Sequence, residues 1–274
     1  MNRYLGITFD KNDEILLGLL SAYPFESFEE VGDDCLIGYI REDDYTEETE
    51  SEIKDLALRT GTAFTTEQIE PQNWNELWEA SFQPIEVDQF CRVRADFHPP
   101  TEGFEYDLII NPKMAFGTGH HATTYMMISA MSGLDFKNKS VLDYGCGTGI
   151  LAILASKMGA SQIDAVDIEN ESFLNTKENS EINQTINVHA LCGDIHTVPE
   201  QEYDIILANI NRNVLLDSCK DIYVRMVNKG LLLLSGILEE DRIVIESAFT
   251  ETGFRFKDFR QREQWLCMSF LKVG

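Results

Sequence analysis

Apolar and polar residues follow two different periods along this chain, and each change of period marks the end of an element. Residues 3–9 alternate as a half-buried strand does, residues 13–22 have helical apolar spacing, and residues 25–30 and 35–40 read as two more strands around the turn Gly32-Asp33-Asp34. Thr46, with Thr49 and Glu50 behind it, offers capping chemistry for a helix running to about residue 58; Gly61 ends it, and residues 62–69 return as a strand. The order strand-helix-strand-strand-helix-strand is the ferredoxin-like plan. It holds no cluster of catalytic-looking side chains, so residues 1–70 are expected to recognise a substrate rather than transform one.

Pro71 opens a junction, and residues 74–82 put Trp74, Leu77, Trp78 and Phe82 on one helical face, a stripe that reads as packing between domains. Short strands over residues 84–110, around His98-Pro99-Pro100, complete a linker region spanning 71–110. From residue 140 strands and helices alternate: strands at 141–143, 162–167, 188–191, 203–208 and 231–235, helices at 150–158, 172–183, 214–227 and 240–252. Alternation predicts a parallel sheet. Residues 254–260 and 265–271 are joined by a few polar residues only, and a connection that short permits only an antiparallel pair. An α/β doubly wound sheet ending in an antiparallel hairpin resembles the class I methyltransferase fold, and residues 111–274 are expected to form it.

The chain's 274 residues suffice for two domains, and its 43% hydrophobic and 25% charged content is that of a folded globular protein. Charge narrows the choice of partner. The formal net charge is −25, from 47 acids against 22 Lys and Arg, which argues against direct nucleic-acid binding. Residues 1–80 hold 20 acids against 5 bases. Solubility explains this bias as well as a basic protein partner does. The start Met1-Asn2-Arg3-Tyr4-Leu5-Gly6 has no apolar leader and no run approaches membrane-helix length, so a cytoplasmic location is expected; a monomer is expected as well. Six dispersed cysteines without a C-x-x-C pair read as reduced thiols.

Chemistry concentrates around Val141-Leu142-Asp143-Tyr144-Gly145-Cys146-Gly147-Thr148-Gly149, an apolar strand that ends on an acid and enters a loop with glycine at every second position. Strand, glycine turn and helix open a nucleotide-type βαβ unit. Gly147-Thr148-Gly149-Ile150-Leu151-Ala152 satisfies the G-x-G-x-x-G/A dinucleotide pattern, so NAD is the rival ligand. Asp143, two residues before Gly145, would repel a pyrophosphate and attract an ammonium, which favours S-adenosylmethionine. Asp167 closes the next strand where an acid accepts from ribose hydroxyls; Asp194, after the third strand, suits an adenine amino group or a turn. Asn209 ends the fourth strand, where its carbonyl could orient a substrate amine or serve a turn. Thr123 or Thr124 can cap the helix over 125–131, whose N–H groups suit a carboxylate. Adjacent His120 and His121 diverge and have no third ligand at helical spacing, so no metal is expected.

Three segments in order, Ala115-Phe116-Gly117-Thr118-Gly119-His120-His121-Ala122-Thr123-Thr124, Asp143-Tyr144-Gly145-Cys146-Gly147-Thr148-Gly149 and Ala208-Asn209-Ile210, resemble the methyltransferases that modify ribosomal large-subunit protein eleven. The likeness extends over the N-terminal domain. It implies S-adenosylmethionine contacts at Thr124, Gly145, Asp167 and Asn209, and N-methylation of lysines and the terminal amine of that basic ribosomal protein. Four positions depart from the pattern: Asn111 where Asp is frequent, Lys113 where Gly is, Ala122 where Pro is, and Asn211 where Leu is. Methyl transfer to another amine, or a donor-binding regulator without catalysis, would keep the same glycine loop.

Overall fold

The computed structural model describes residues 4–12, 14–32, 35–69, 83–111 and 121–274. The helix expected at 74–82 and residues 112–120 lie outside them. The chain divides into two compact units, Met1–Ser81 and Phe82–Gly274.

The first unit runs β1 (Tyr4–Phe9), α1 (Glu14–Leu20), β2 (Phe25–Val31), β3 (Cys35–Arg41), α2 (Glu47–Thr60) and β4 (Phe64–Ile69). Its strands form an antiparallel sheet in the order β2-β3-β1-β4. Thr46 caps α2 by accepting the Thr49 N–H, and Gly61 stops it in the left-handed conformation that glycine adopts without strain. Alternation sets the core: Ile7, Phe9, Leu36 and Ile40 leave one face of the sheet and meet Leu16, Leu20, Ile53 and Leu56 from the helices.

The second unit opens with a small sheet of β5 (Ile85–Val87), β6 (Cys91–Arg94) and β7 (Tyr106–Ile109). A helix, α3 (Ala122–Met131), leads to β8 (Ser140–Tyr144), α4 (Ile150–Lys157), β9 (Gln162–Asp167), α5 (Asn170–Ile182), β10 (Val188–Cys192), β11 (Tyr203–Asn209), α6 (Arg212–Val224), β12 (Met226–Leu238), α7 (Arg242–Thr252), β13 (Phe254–Arg262) and β14 (Trp265–Lys272). Their order in the large sheet is β10-β9-β8-β11-β12-β14-β13, with β14 antiparallel to both neighbours and the remaining pairs parallel.

Both faces of this sheet are covered over its central strands, which is why β8, β11 and the middle of β12 are largely apolar, whereas the edge strand β13 is mostly exposed and charged. Val141, Ile163, Ile205, Leu207 and Leu233 point to α3, α4 and the small sheet; Leu142, Val166, Ile206, Leu232 and Leu234 point to α6 and α7. β12 starts earlier than the expected strand at 231, because Lys272 Nζ donates to the carbonyls of Tyr223 and Met226 at 3.0 and 2.6 Å and so helps end α6 there. The register slips between Tyr203 and Ile205, and Lys229, at φ 65°, and Gly230 stand in the bulge on the β12 side. Among the described residues no helix is long and apolar enough to cross a membrane.

Candidate active site

Chain order reverses between β8 and β11, and at such a point the loops leaving neighbouring strands part and leave a crevice at their carboxyl ends. A cavity of about 400 Å³ lies there. Thr124, Gly145, Gly147, Asp167 and Asn209 all line it, brought together from α3, β8, β9 and β11.

The glycine loop shapes one wall. Gly145, Gly147 and Gly149 hold φ of 74°, 54° and 79°, a left-handed conformation that side chains disfavour. The loop is tied to β9 by the N–H groups of Gly145 and Cys146, which donate to the Val166 carbonyl at 2.8 and 3.1 Å. Asp167 takes the Gly147 N–H on Oδ2 at 2.9 Å and the Glu169 N–H on Oδ1 at 3.0 Å. Each carboxylate oxygen has a second lone pair, so those bonds leave acceptor capacity on the cavity wall.

Asp143 does not reach that wall. It is 1% exposed, and its Oδ2 accepts the Ala152 N–H at 3.0 Å. Gly149, the N-cap residue of α4, has no side chain with which to satisfy the helix's first N–H groups, and Asp143 supplies that cap from below. Its other oxygen is buried without a hydrogen-bond partner among the described residues. Burial pushes the carboxyl up to about 7, opposed by the Ala152 N–H and reinforced by the charge of Asp167. Asp194 is likewise away from the wall: it is exposed, and its Oδ1 accepts the His196 N–H at 2.9 Å in an Asx turn.

On the opposite side Asn209 donates its Nδ2–H to Thr124 Oγ1 at 3.3 Å. The cap of α3 is His121 rather than either threonine: its Nδ1 pairs with Thr123 Oγ1 at 2.8 Å and takes the Thr123 N–H, while its ring meets Trp265 edge-on at 4.7 Å. His120 lies outside the described residues. Thr124, relieved of capping, is fully buried against the cavity. Asn211 caps α6 by accepting the Val214 N–H.

Sequence reading assigned no role to Trp265 or Gly236, which also line the cavity. Trp265 comes from the terminal hairpin and carries no local signal. Gly236 had one: a glycine inside a strand often marks a close backbone approach. A Cβ there would sit 2.3 Å from the Ile210 carbonyl oxygen, and φ is 86°. A Cβ on Gly145 would sit 2.0 Å from Ile210 Cγ2.

These features fit a nucleoside ligand. Ile150, Leu151, Val166 and Val214 contribute apolar lining, Asp167 offers acceptors for ribose hydroxyls, and the volume lies in the range of small-molecule sites. A doubly wound sheet with a reversed terminal hairpin and this wall defines a class I methyltransferase.

Residues 14–273 match the family described as Ribosomal protein L11 methyltransferase (PrmA). The chain is 38% identical over 268 residues to the Ribosomal protein L11 methyltransferase of Porphyromonas gingivalis, covering 96% of this chain and 92% of that protein. Identity to the enzyme of the same name from Phocaeicola vulgatus is 36%, with 98% and 99% covered. Among solved structures, ribosomal protein L11 methylase from Lactobacillus delbrueckii subsp. bulgaricus superposes with a TM-score of 0.63 at 26% identity, over 70% of this chain and all of that one. This chain belongs to the ribosomal protein L11 methyltransferase family, and S-adenosylmethionine is its methyl donor.

Proposed function

We propose that the enzyme methylates lysine side chains and the terminal amine of ribosomal protein L11, with Thr124, Gly145, Gly147, Asp167 and Asn209 forming the donor site. One observation carries this assignment: the Asn209 amide rests on the Thr124 hydroxyl inside the cavity, so its carbonyl oxygen remains as an acceptor for an incoming amine. S-adenosylmethionine, when bound, supplies an electrophilic methyl group on a sulfonium. The protein's part is to deliver a neutral amine in line with it. At neutral pH a lysine must lose a proton, at a cost of about 4 to 5 kcal/mol, whereas an α-amine near its pKa of about 8 costs roughly 1 kcal/mol. Asn209 O, accepting one amine N–H, orients the nitrogen lone pair, and Trp265 with His121 narrows the space left for water.

Asp143 serves the donor through helix α4, which it caps where the glycine loop enters it, and Asp194 through the turn after β10; neither is required to touch it. The first unit serves as the recognition domain for the basic substrate, and the enzyme acts as a cytoplasmic monomer with no nucleic-acid contact of its own, in keeping with a net charge of −25. The test is mass spectrometry of purified ribosomal protein L11 incubated with enzyme and donor. Methylated lysine and N-terminal peptides are expected; an unmodified protein beside a methylated small-molecule amine would overturn the assignment.

A further inference from the structure

Helix α5 buries amides where a helix packed on a sheet ordinarily buries leucine. Asn175 and Asn179 within it, and Asn183 at its C-cap, follow at intervals of four and so share one face; they are 2%, 1% and 4% exposed. A buried amide is costly unless its donors and acceptor are used, and those of Asn179 are used on two separate parts of the fold. Its Nδ2 donates to the Thr148 carbonyl at 2.9 Å and to Asn175 Oδ1 at 2.5 Å. Its Oδ1 accepts the backbone N–H of Asn111 at 3.1 Å.

Thr148 stands between two glycines of the donor loop, whereas Asn111 follows the end of β7. Asn183 reaches β7 and not the glycine loop, accepting the Ile109 N–H at 3.0 Å and donating to the Ile109 carbonyl at 2.6 Å, as a neighbouring strand would; it also donates to the Asn179 carbonyl one turn back at 2.8 Å. Thr176 holds the loop alone, donating to the Gly147 carbonyl at 2.9 Å. Asn179 holds both. We propose that Asn179 is a positioning residue that joins the glycine loop of the donor cavity to the end of β7, so that donor binding and the order of the Asn111 backbone are linked.

The link rests on the assignment of the cavity to the donor, and it is reciprocal, as any coupling of two equilibria must be. Asn111 is not among the described residues that line the cavity, and the Asn179 side chain is the described contact between it and the glycine loop. The test is amide exchange at Asn111, followed by NMR with and without saturating S-adenosylhomocysteine, together with calorimetric affinity for that ligand. In the unaltered chain the ligand should slow Asn111 exchange by about fivefold, the low end of ordinary coupling.

Asn179→Asp keeps the acceptor for the Asn111 N–H and loses the donor to Thr148. It should weaken ligand binding by about fivefold or more and, once saturated, leave Asn111 exchange unresponsive. Asn179→Ser, too short to reach either partner, should give the same two results and covers the case in which the aspartate does not fold. Asn183→Ala should lower the unfolding midpoint while leaving ligand affinity within about twofold, which separates positioning from general support. An Asn111 amide indifferent to ligand in the unaltered chain, a response that persists in both Asn179 variants, or equal affinity losses at Asn179 and Asn183 would each overturn the proposal. Asp167→Ala separates the two assignments. It should weaken ligand binding by about 5- to 150-fold while preserving the Asn111 response at saturation; unchanged affinity there would instead defeat the assignment of the cavity.

Discussion

A side chain's surroundings decide its chemistry, and the two acids flanking the donor loop differ in this respect. Asp167 ends β9 on the cavity wall, but Asp143 is enclosed beneath the loop with one oxygen unpaired. In acid both the folded and the unfolded chain carry Asp143 protonated, and its titration contributes nothing to the difference between them. As pH rises past the ordinary carboxylate range the unfolded chain releases its proton first, and folding is penalised until the folded carboxyl ionises near its raised value of about 7. Asp143→Asn removes this titration, so the variant should gain stability relative to the parent from about pH 4 to about pH 7 and hold that difference above it. Urea midpoints of the two chains across that range check this, and a pH-independent difference would mean that the carboxylate is stably charged when folded. Asn209 is tested by kinetics: Asn209→Ala should lower kcat by more than it lowers donor affinity, since orienting the amine is an interaction completed in the transition state. Equal losses would make it a donor contact only. The sequence made the acid before the glycines legible, yet not its direction, because that depends on Gly149 lacking a side chain to cap α4.

Elements were legible wherever one period ran without interruption. β9 spans Gln162–Asp167, the range its apolar run implies, and the terminal pair β13 and β14 is antiparallel as its short connection requires. Legibility failed where a distant residue decides the boundary: α6 gives way to β12 beside a lysine from β14, and α3 takes its cap from a histidine whose ring is packed on Trp265. The approach of β8 and β12 to the segment after β11 was hidden for the same reason, and it can be measured. Gly145 and Gly236 both abut Ile210, one against its side-chain tip and the other against its backbone. Each alanine substitution should cost stability, about 1 to 3 kcal/mol at Gly145 and about 3 kcal/mol or more at Gly236, where nothing can rotate away. Ile210→Ala removes the offending Cγ2, so in a double-mutant cycle it should recover part of the loss at Gly145 and none at Gly236. Recovery at both would show that side-chain crowding alone sets the cost.

At the scale of the whole chain, charge and chemistry occupy different units. The described residues that line the candidate donor cavity fall between 121 and 265, inside the unit Phe82–Gly274, whereas residues 1–80 hold 20 acids against 5 bases. The sequence made the acidic bias legible through composition and the candidate donor residues through the glycine loop and the strand ends. What composition does not reveal is that the short strands β5 to β7 share a core with α3 and α4: Val87, Val93 and Leu108 pack in one cluster with Met127 and Leu154. A truncation that preserves chemistry must therefore leave those strands in place, and removal of residues 1–70 does so. The shortened chain should bind donor as the full chain does, since none of the described lining residues is lost, but fail to methylate ribosomal protein L11. If the acidic unit draws in a basic protein through exposed charge, kcat/KM of the full chain should fall as salt rises, because such charges are screened over about 8 Å at physiological ionic strength. The truncated chain's rate on a small free amine should show little of that salt dependence. Undiminished methylation of the ribosomal protein by the truncated chain would transfer recognition to the catalytic unit and leave solubility as the reason for the first unit's charge.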